Sequence, residues 1–136
     1  MNPSPELLEV LARARRLGVL GPGPVEDHVE HAKGFVAALA AVASGSLVVD
    51  LGSGAGVPGL VLAEARPDLD VLLLDAMEKR TALLREAVVT MALGSRVQVR
   101  TARAKQAGRD PELRGRAAAV TARSFGRPAT TAECAA

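Results

Sequence analysis

The stretch LVVDLGSGAGVPG at residues 47–59 joins a short apolar run to glycines at alternate positions. Its first three residues are wholly apolar, which is typical of a strand buried in a parallel sheet. Glycine adopts positive φ readily and lets a ligand approach the backbone with no Cβ in the way. The stretch therefore predicts a buried strand and a ligand-binding turn, which opens onto a helix over residues 58–65 with N–H groups at its start.

An acidic residue closes the next apolar run. Residues 71–75 read VLLLD and predict a second buried strand ending in Asp75, which lies 25 residues after Asp50. Because the carboxyl ends of parallel strands share one edge of the sheet, Asp75 is expected to face the same crevice as the glycines. A carboxylate there can accept two hydrogen bonds from a ribose diol. The two strand ends therefore predict a nucleoside-cofactor site.

Helical patterns and apolar runs alternate along the rest of the chain. Ser4 is the expected N-cap of a first helix that stops near Gly18. Further helices are predicted over residues 25–42 and 78–92, and strands over 96–101 and 117–120, the last two joined by a polar loop. This alternation predicts an α/β fold with a parallel sheet and flanking helices. We assign residues 1–44 to an N-terminal helical segment and residues 45–136 to a Rossmann-like cofactor-binding domain.

Two cofactor classes fit the glycines. Residues 54–59 satisfy the G-x-G-x-x-G pattern of dinucleotide-binding proteins. Asp50, two residues before Gly52, also gives D-x-G-x-G-x-G, which resembles motif I of the S-adenosylmethionine-dependent methyltransferases. A carboxylate beside the loop favours the cationic sulfonium and ammonium of adenosylmethionine and would repel a pyrophosphate. Adenosylmethionine is therefore the expected cofactor, and a NAD(P)-dependent oxidoreductase-type binder is the alternative.

The segment from Val48 to Arg80 resembles the ribosomal small-subunit RNA methyltransferase G family, also called glucose-inhibited division protein B. That family has a D-x-G-[ST]-G-x-G-x-P-G loop, an Arg-Pro turn, a strand ending in Asp and a Lys-Arg pair. The matching residues here are 50–59, Arg66-Pro67, Asp75 and Lys79-Arg80. Residues 103–104 and 120–123 resemble two later family segments, and His31 falls where the family has a histidine. The resemblance covers residues 25–136.

The resemblance implies a Rossmann-like methyltransferase fold and methyl transfer from S-adenosylmethionine to N7 of a guanine in ribosomal RNA of the small ribosomal subunit. It implies that Asp75 holds the ribose and that Ala104 and Lys105 lie beside the adenine, although the family usually has Glu at the second of these positions. The expected cofactor-binding residues are Asp50, Gly52, Ser53, Gly54, Gly56, Val57, Asp75, Ala76, Ala104, Lys105 and Arg123.

This chemistry asks little of side chains. Guanine N7 carries a free lone pair and no proton, so that no general base is required, and the enzyme's task is alignment. Arg123 is the expected catalytic residue, since its fork of donors suits guanine O6 or a phosphate. No metal is expected, because His28 and His31 have no third ligand at suitable spacing. Both histidines are predicted to be surface or capping residues.

The composition, 49% hydrophobic and 24% charged, is typical of an ordinary soluble protein. No run approaches the ~20 apolar residues of a membrane-spanning helix, and the N-terminus lacks the pattern of a secretory signal. The single Cys134 fits a reducing compartment. We therefore expect a cytoplasmic protein with no membrane partner.

The charge and the length bear on the RNA and on activity. Residues 1–95 carry a net charge of −4 and residues 96–136 a net charge of +6, and a basic section can present a field to phosphates. The 136 residues offer four predicted strands, against about seven in an enzyme of this type. The chain is thus expected to be the cofactor-binding portion of a longer enzyme or a naturally shortened one. A non-catalytic adenosylmethionine-binding module is a further alternative.

Overall fold

The computed structural model describes residues 2–111, 113 and 115–123, in which helices and strands alternate along the chain. The elements in chain order are α1 (Pro5–Arg16), α2 (Val25–Ala38), β1 (Leu47–Leu51), α3 (Gly59–Ala65), β2 (Asp70–Asp75), α4 (Glu78–Thr90), β3 (Val97–Thr101), α5 (Ala104–Gly108) and β4 (Ala117–Ala122). The four strands form one sheet in the order β3-β2-β1-β4, with every neighbouring pair parallel. The predicted α/β fold with a parallel sheet is confirmed.

The strand order reverses direction next to β1. The chain moves from β1 outward to β2 and β3, and then crosses back to place β4 on the other side of β1. Leu51 at the end of β1 is level with Leu74 of β2 and with Ala122 of β4. A crevice forms where the crossovers diverge in this way, outside the carboxyl ends of the central strands. The fold thus sets the glycines after β1 at the point where open α/β sheets bind ligands.

Side chains alternate between the two faces of the sheet, as strand geometry requires. Val71 and Leu73 of β2 join a core with residues from α1, α2, α3 and α4. Leu72 and Leu74 of the same strand point to the opposite face, where they pack with α5. The two helices of the N-terminal segment therefore share one hydrophobic core with the sheet and with α3 and α4.

Three boundaries bear on the predictions. Ser4 caps α1 as predicted, its Oγ accepting from the Leu7 N–H at 3.1 Å. The second helix ends at Ala38 and not at residue 42, and the guanidinium of Arg66 donates to the carbonyls of Leu39 and Val42, which follow its end, at 3.0 and 2.7 Å. The predicted polar loop after β3 contains α5, whose five residues are too few to show a helical period. Residues 124–136 of the predicted cofactor-binding domain lie outside the described residues.

Candidate functional site

The glycine loop, residues 52–58, leaves the carboxyl end of β1 and turns into α3. Gly52, Gly54 and Gly56 all have positive φ, at 63°, 55° and 97°. Gly56 is more constrained than Gly54, since a Cβ on it would also collide with the side chain of Leu60. The alternate glycines are therefore required by the path of the backbone as well as by any ligand.

Asp50 lies beneath this loop with its carboxylate turned into the protein. One oxygen, Oδ2, accepts from the Gly59 N–H at 3.1 Å, and the other accepts from the Thr121 hydroxyl at 2.8 Å. A Cβ on Gly59 would lie 2.5 Å from the same Oδ2 and would also meet Leu73. Asp50 thus links β1, the first residue of α3 and β4, and glycine at position 59 makes room for that link.

Burial dominates the electrostatics of Asp50. Only 1% of the residue is exposed, and the loss of solvation raises the pKa of its carboxyl from 3.8 to about 6. The hydrogen bonds from Thr121, Ser53 and Gly59 lower this pKa, and the charge of Asp75 raises it further, but desolvation is the largest effect. Asp50 is absent from the linings of the two cavities that flank the loop.

Asp75 ends β2 and faces the loop. Its Oδ2 accepts from the Gly54 N–H at 2.9 Å, and its Oδ1 accepts from the Met77 N–H at 2.9 Å. The Arg80 guanidinium lies 3.8 Å from Oδ2. Each carboxylate oxygen has room for more than one hydrogen bond, so Asp75 retains acceptor capacity toward a ligand. Although 4% exposed, it lines a cavity.

Two cavities flank the loop and meet at Gly52 and Arg80, which line both. The first, of about 200 Å³, lies beyond the ends of β2 and β3, and its wall includes Asp75, Ala76, Met77 and Ala104. The second, of about 290 Å³, lies between the loop and the α1–α2 connection, and its wall includes Gly21, His28, Ser53, Gly54, Val57 and Arg123. One elongated ligand could therefore contact both cavities across Gly52.

His28 joins α2 to the end of β4 at the second cavity. Its Nδ1 lies 3.0 Å from Nη2 of Arg123, and its Nε2 lies 3.2 Å from the carbonyl oxygens of both Gly21 and Pro22. Only 8% of His28 is exposed, so of the two alternatives predicted for it, a surface or a capping residue, the surface position is wrong. That prediction missed the burial because the contact depends on Arg123, which lies 95 residues later in the chain, just after β4. His31 is exposed, and its ring meets Phe35 edge-on.

The structure distributes the expected cofactor-binding residues unevenly around the loop. Gly52, Ser53, Gly54, Val57 and Arg123 line the second cavity, and Gly52, Asp75, Ala76 and Ala104 line the first. Asp50 and Gly56 support the loop from outside both linings. Lys105 lies on α5 with its side chain exposed.

Sequence reasoning assigned no role to Met77, Arg80, His28 or the α1–α2 connection. Arg80 belongs to the Lys79-Arg80 pair, which was a usable signal because it follows Asp75 so closely. His28 carried no comparable signal, since its partners lie in a separate loop and at the end of a distant strand.

The part of the chain that the structure describes contains neither a membrane-spanning helix nor a metal-binding group. None of its helices combines the length and the apolar character that crossing a bilayer requires. No group of three or more histidine, cysteine, aspartate or glutamate side chains there is arranged to hold a metal ion.

Solved methyltransferases have the same arrangement of sheet and helices. A putative S-adenosyl-L-methionine-dependent methyltransferase from Methanococcus maripaludis superposes with a TM-score of 0.67 and 15% identity, over 98% of this chain and 59% of that one. Together with the glycine loop and the acid that ends β2, this likeness defines the class. The fold is that of the Rossmann-like, S-adenosylmethionine-dependent methyltransferases.

The chain belongs to the rRNA small subunit methyltransferase G family, whose model matches residues 25–136. The family resemblance predicted from the sequence is confirmed. A ribosomal RNA small subunit methyltransferase G from Acidothermus cellulolyticus is 51% identical over 77 residues, 56% of this chain and 35% of the relative. Its counterpart from Clavibacter michiganensis is 44% identical over 102 residues, 74% of this chain and 47% of the relative. The chain thus spans less than half of either relative.

Proposed function

We propose that the protein binds S-adenosylmethionine across the two cavities and directs its methyl group to guanine N7 in the RNA of the small ribosomal subunit. The observation that carries the proposal is the placement of Asp75, whose carboxylate contacts the glycine loop and lines the first cavity at once. The family contributes the RNA target, because the curated relatives are named as small-subunit ribosomal RNA methyltransferases.

The first cavity suits the adenosine end. Asp75 would accept hydrogen bonds from the ribose hydroxyls, since each of its oxygens can accept a further hydrogen bond in addition to the one from a backbone N–H. Ala76, Met77 and Ala104 offer a mainly apolar surface for the base next to that acid. The glycine loop brings backbone close to the ligand because Gly52 has no side chain in the way.

For Asp50 the geometry favours an indirect role over the direct contact expected from the motif. Asp50 is buried and lines neither cavity, and its oxygens accept from Gly59 and Thr121 inside the protein. We infer that Asp50 supports cofactor binding by holding the loop between β1, α3 and β4. We infer that Lys105, whose side chain is exposed, contributes through the backbone of α5.

The second cavity suits the methionine end and the target base. When bound, the cofactor would supply a methyl group on a cationic sulfur for transfer to the N7 lone pair. N7 carries no proton, so no side chain has to remove one. Arg123 would orient the base, its guanidinium donating to guanine O6 or to a neighbouring phosphate. Alignment of nucleophile and methyl group is then the protein's main contribution.

The ribosomal target also accounts for the basic C-terminal section. Residues 96–136 carry a net charge of +6, which favours association with phosphates. A small-subunit partner implies a cytoplasmic location for this reaction. The partner and the location are both part of the proposal.

Calorimetric titration with S-adenosylmethionine tests the cofactor assignment. We expect Asp75→Asn to weaken binding about tenfold or more, because a hydrogen bond from a ribose hydroxyl to a charged acceptor is lost. The matched control is Asp70→Asn, at the exposed opposite end of the same strand, which should leave affinity unchanged. Unaltered affinity in the Asp75 variant would refute the site.

Methylation of small ribosomal subunits with radiolabelled cofactor tests the reaction. Incorporation at guanine N7 is the expected result. Cofactor binding with no incorporation would favour the second candidate, a non-catalytic adenosylmethionine-binding module. The observation behind that candidate is coverage of only 35–47% of the two curated relatives.

A further inference from the structure

His28 contacts the expected catalytic residue from an element outside the predicted cofactor domain. It lies on α2, within the N-terminal segment, whereas Arg123 follows β4. The two side chains meet at 3.0 Å and both line the second cavity. Through this contact the N-terminal segment touches a residue to which the proposed reaction assigns a role in orienting the target.

The hydrogen-bond partners of His28 define its protonation pattern. A guanidinium has N–H donors and no acceptor, so the Nδ1 that faces Arg123 must offer a lone pair. Nε2 faces two carbonyl oxygens, those of Gly21 and Pro22, and must carry the proton. The surroundings therefore select the neutral imidazole with its proton on Nε2.

We propose that His28 is a positioning residue for Arg123, and this proposal rests on the proposed function. Its ring is buried and anchored to the α1–α2 connection through Nε2, so it presents a fixed acceptor to a long and otherwise flexible side chain. One N–H of Arg123 is occupied, and among the described residues no other hydrogen bond engages this guanidinium, which lines the cavity.

A neutral acceptor suits this task better than a carboxylate would. A carboxylate against Arg123 would neutralise its charge and compete with the ligand for both arms of the fork. The imidazole holds the guanidinium by a single hydrogen bond and leaves its positive charge in place. The geometry thus keeps Arg123 oriented and still cationic for guanine O6 or a phosphate, the two acceptors in the RNA that match it.

Three substitutions separate positioning from structural support. His28→Ala removes both contacts, and we expect KM for small ribosomal subunits to rise about tenfold, with the dissociation constant for S-adenosylmethionine changing less than twofold. His28→Gln supplies an amide donor and an acceptor on one side chain and is expected to restore most of the loss. Glu30→Gln, on the exposed surface of the same helix, is the matched control and should leave KM unchanged.

A double-mutant cycle with Arg123→Ala tests whether His28 acts through Arg123. If it does, His28→Ala has little further effect on KM once Arg123 is gone. Additive losses would overturn the proposal, as would an unchanged KM in the single variant or a loss of folding stability with no change in KM.

Long-range ¹H–¹⁵N correlation spectra of the imidazoles test the geometry without any catalysis. The expected result at pH 8 is a neutral His28 with its proton on Nε2. A proton on Nδ1 would overturn the proposal even in a fully active enzyme. Absence of cofactor binding in the unsubstituted protein would instead refute the proposed function, and the spectra keep the two failures distinguishable.

Discussion

Two aspartates tie distant segments together at opposite edges of the sheet, by opposite means. At the carboxyl edge, Asp50 accepts from Gly59 and Thr121 in a buried arrangement that we call the loop brace. At the amino edge, Asp68 receives two hydrogen bonds from Arg66, at 2.9 and 2.8 Å, in the turn clamp. In the clamp the guanidinium also holds two carbonyls that follow α2.

The surroundings shift the two pKa values in opposite directions. Burial raises the pKa of Asp50 to about 6, against the effect of its own hydrogen bonds. In the turn clamp, the hydrogen bonds from Arg66 and then from Ser44 hold the pKa of Asp68 well below its usual range. The clamp is therefore matched in charge and stabilises the fold, whereas the loop brace holds a carboxylate without a cation. The carboxyl edge, where the proposed site lies, therefore holds the carboxylate whose ionised form is disfavoured, and such perturbed pKa values are common at functional sites.

The largest expected effect is a pH dependence that belongs to Asp50. Its pKa is 3.8 in ordinary surroundings and about 6 in the fold, so the folded state binds more protons between these values. Stability therefore falls as pH rises through this window, by about 3 kcal/mol from a shift of about 2 units. Urea unfolding of the unsubstituted protein and of Asp50→Asn from pH 4 to pH 7.5 measures the difference.

In the Asp50→Asn variant that component of the profile is expected to vanish. The amide can accept from Gly59 through its oxygen and donate to Thr121, so that the fold is retained. Two profiles that run parallel across the window would contradict the buried state of this carboxyl.

The next largest effect tests whether the loop brace requires glycine at position 59. In Gly59→Ala the added Cβ would lie 2.5 Å from Asp50 Oδ2 and would press on Leu73. We expect a loss of about 1–3 kcal/mol in unfolding free energy, typical of overpacking, together with weaker binding of S-adenosylmethionine. Thermal unfolding and calorimetric titration measure the two effects.

Gly34→Ala is the control for that substitution. Gly34 lies inside α2, and a Cβ there would meet nothing within 4 Å. The control should stabilise the protein by about 0.5–1 kcal/mol, because alanine favours a helix. A similar loss in both variants would show that position 59 is not special.

The smallest expected effect concerns the turn clamp. Asp68→Asn removes the charge that Arg66 holds, and we expect a modest drop in Tm at pH 7. Because the pKa of Asp68 is lowered in the fold, its contribution is present above its ordinary pKa of about 4 and is lost as pH falls. The Tm values of the variant and of the unsubstituted protein should therefore converge in acid. A difference that widens toward low pH would reverse the contrast with Asp50.

The unit formed by β1, the glycine loop and α3 could be predicted from the sequence because its determinants are close together in the chain. The apolar run, the alternate glycines and the helix that follows occupy adjacent positions, and strand geometry carries Asp75 to the same edge. Helix α5 and the end of α2 were not predicted correctly. Helix α5 is too short to show a helical period. Helix α2 ends before Val42, whose carbonyl accepts from Arg66, 24 residues later in the chain.

The directions of the Asp50 and His28 side chains depend on contacts with segments that are distant in the chain. A carboxylate at the end of a strand can face the ligand or the interior, and Asp50 faces the interior because Thr121 of β4 lies beside it. His28 becomes a buried partner of Arg123 only when α2 packs near the end of the same strand.

By itself, the sequence determined the order of elements, the glycine loop and the acid beside it, because these depend on local spacing and on the alternation of the strands. Only the tertiary structure decided that Asp50 braces the loop and that His28 meets Arg123. Asp50 and its partner Thr121 are 71 positions apart in the chain, and His28 and Arg123 are 95 positions apart. No local pattern encodes contacts between segments so far apart, because they depend on how the crossovers bring strands and helices together.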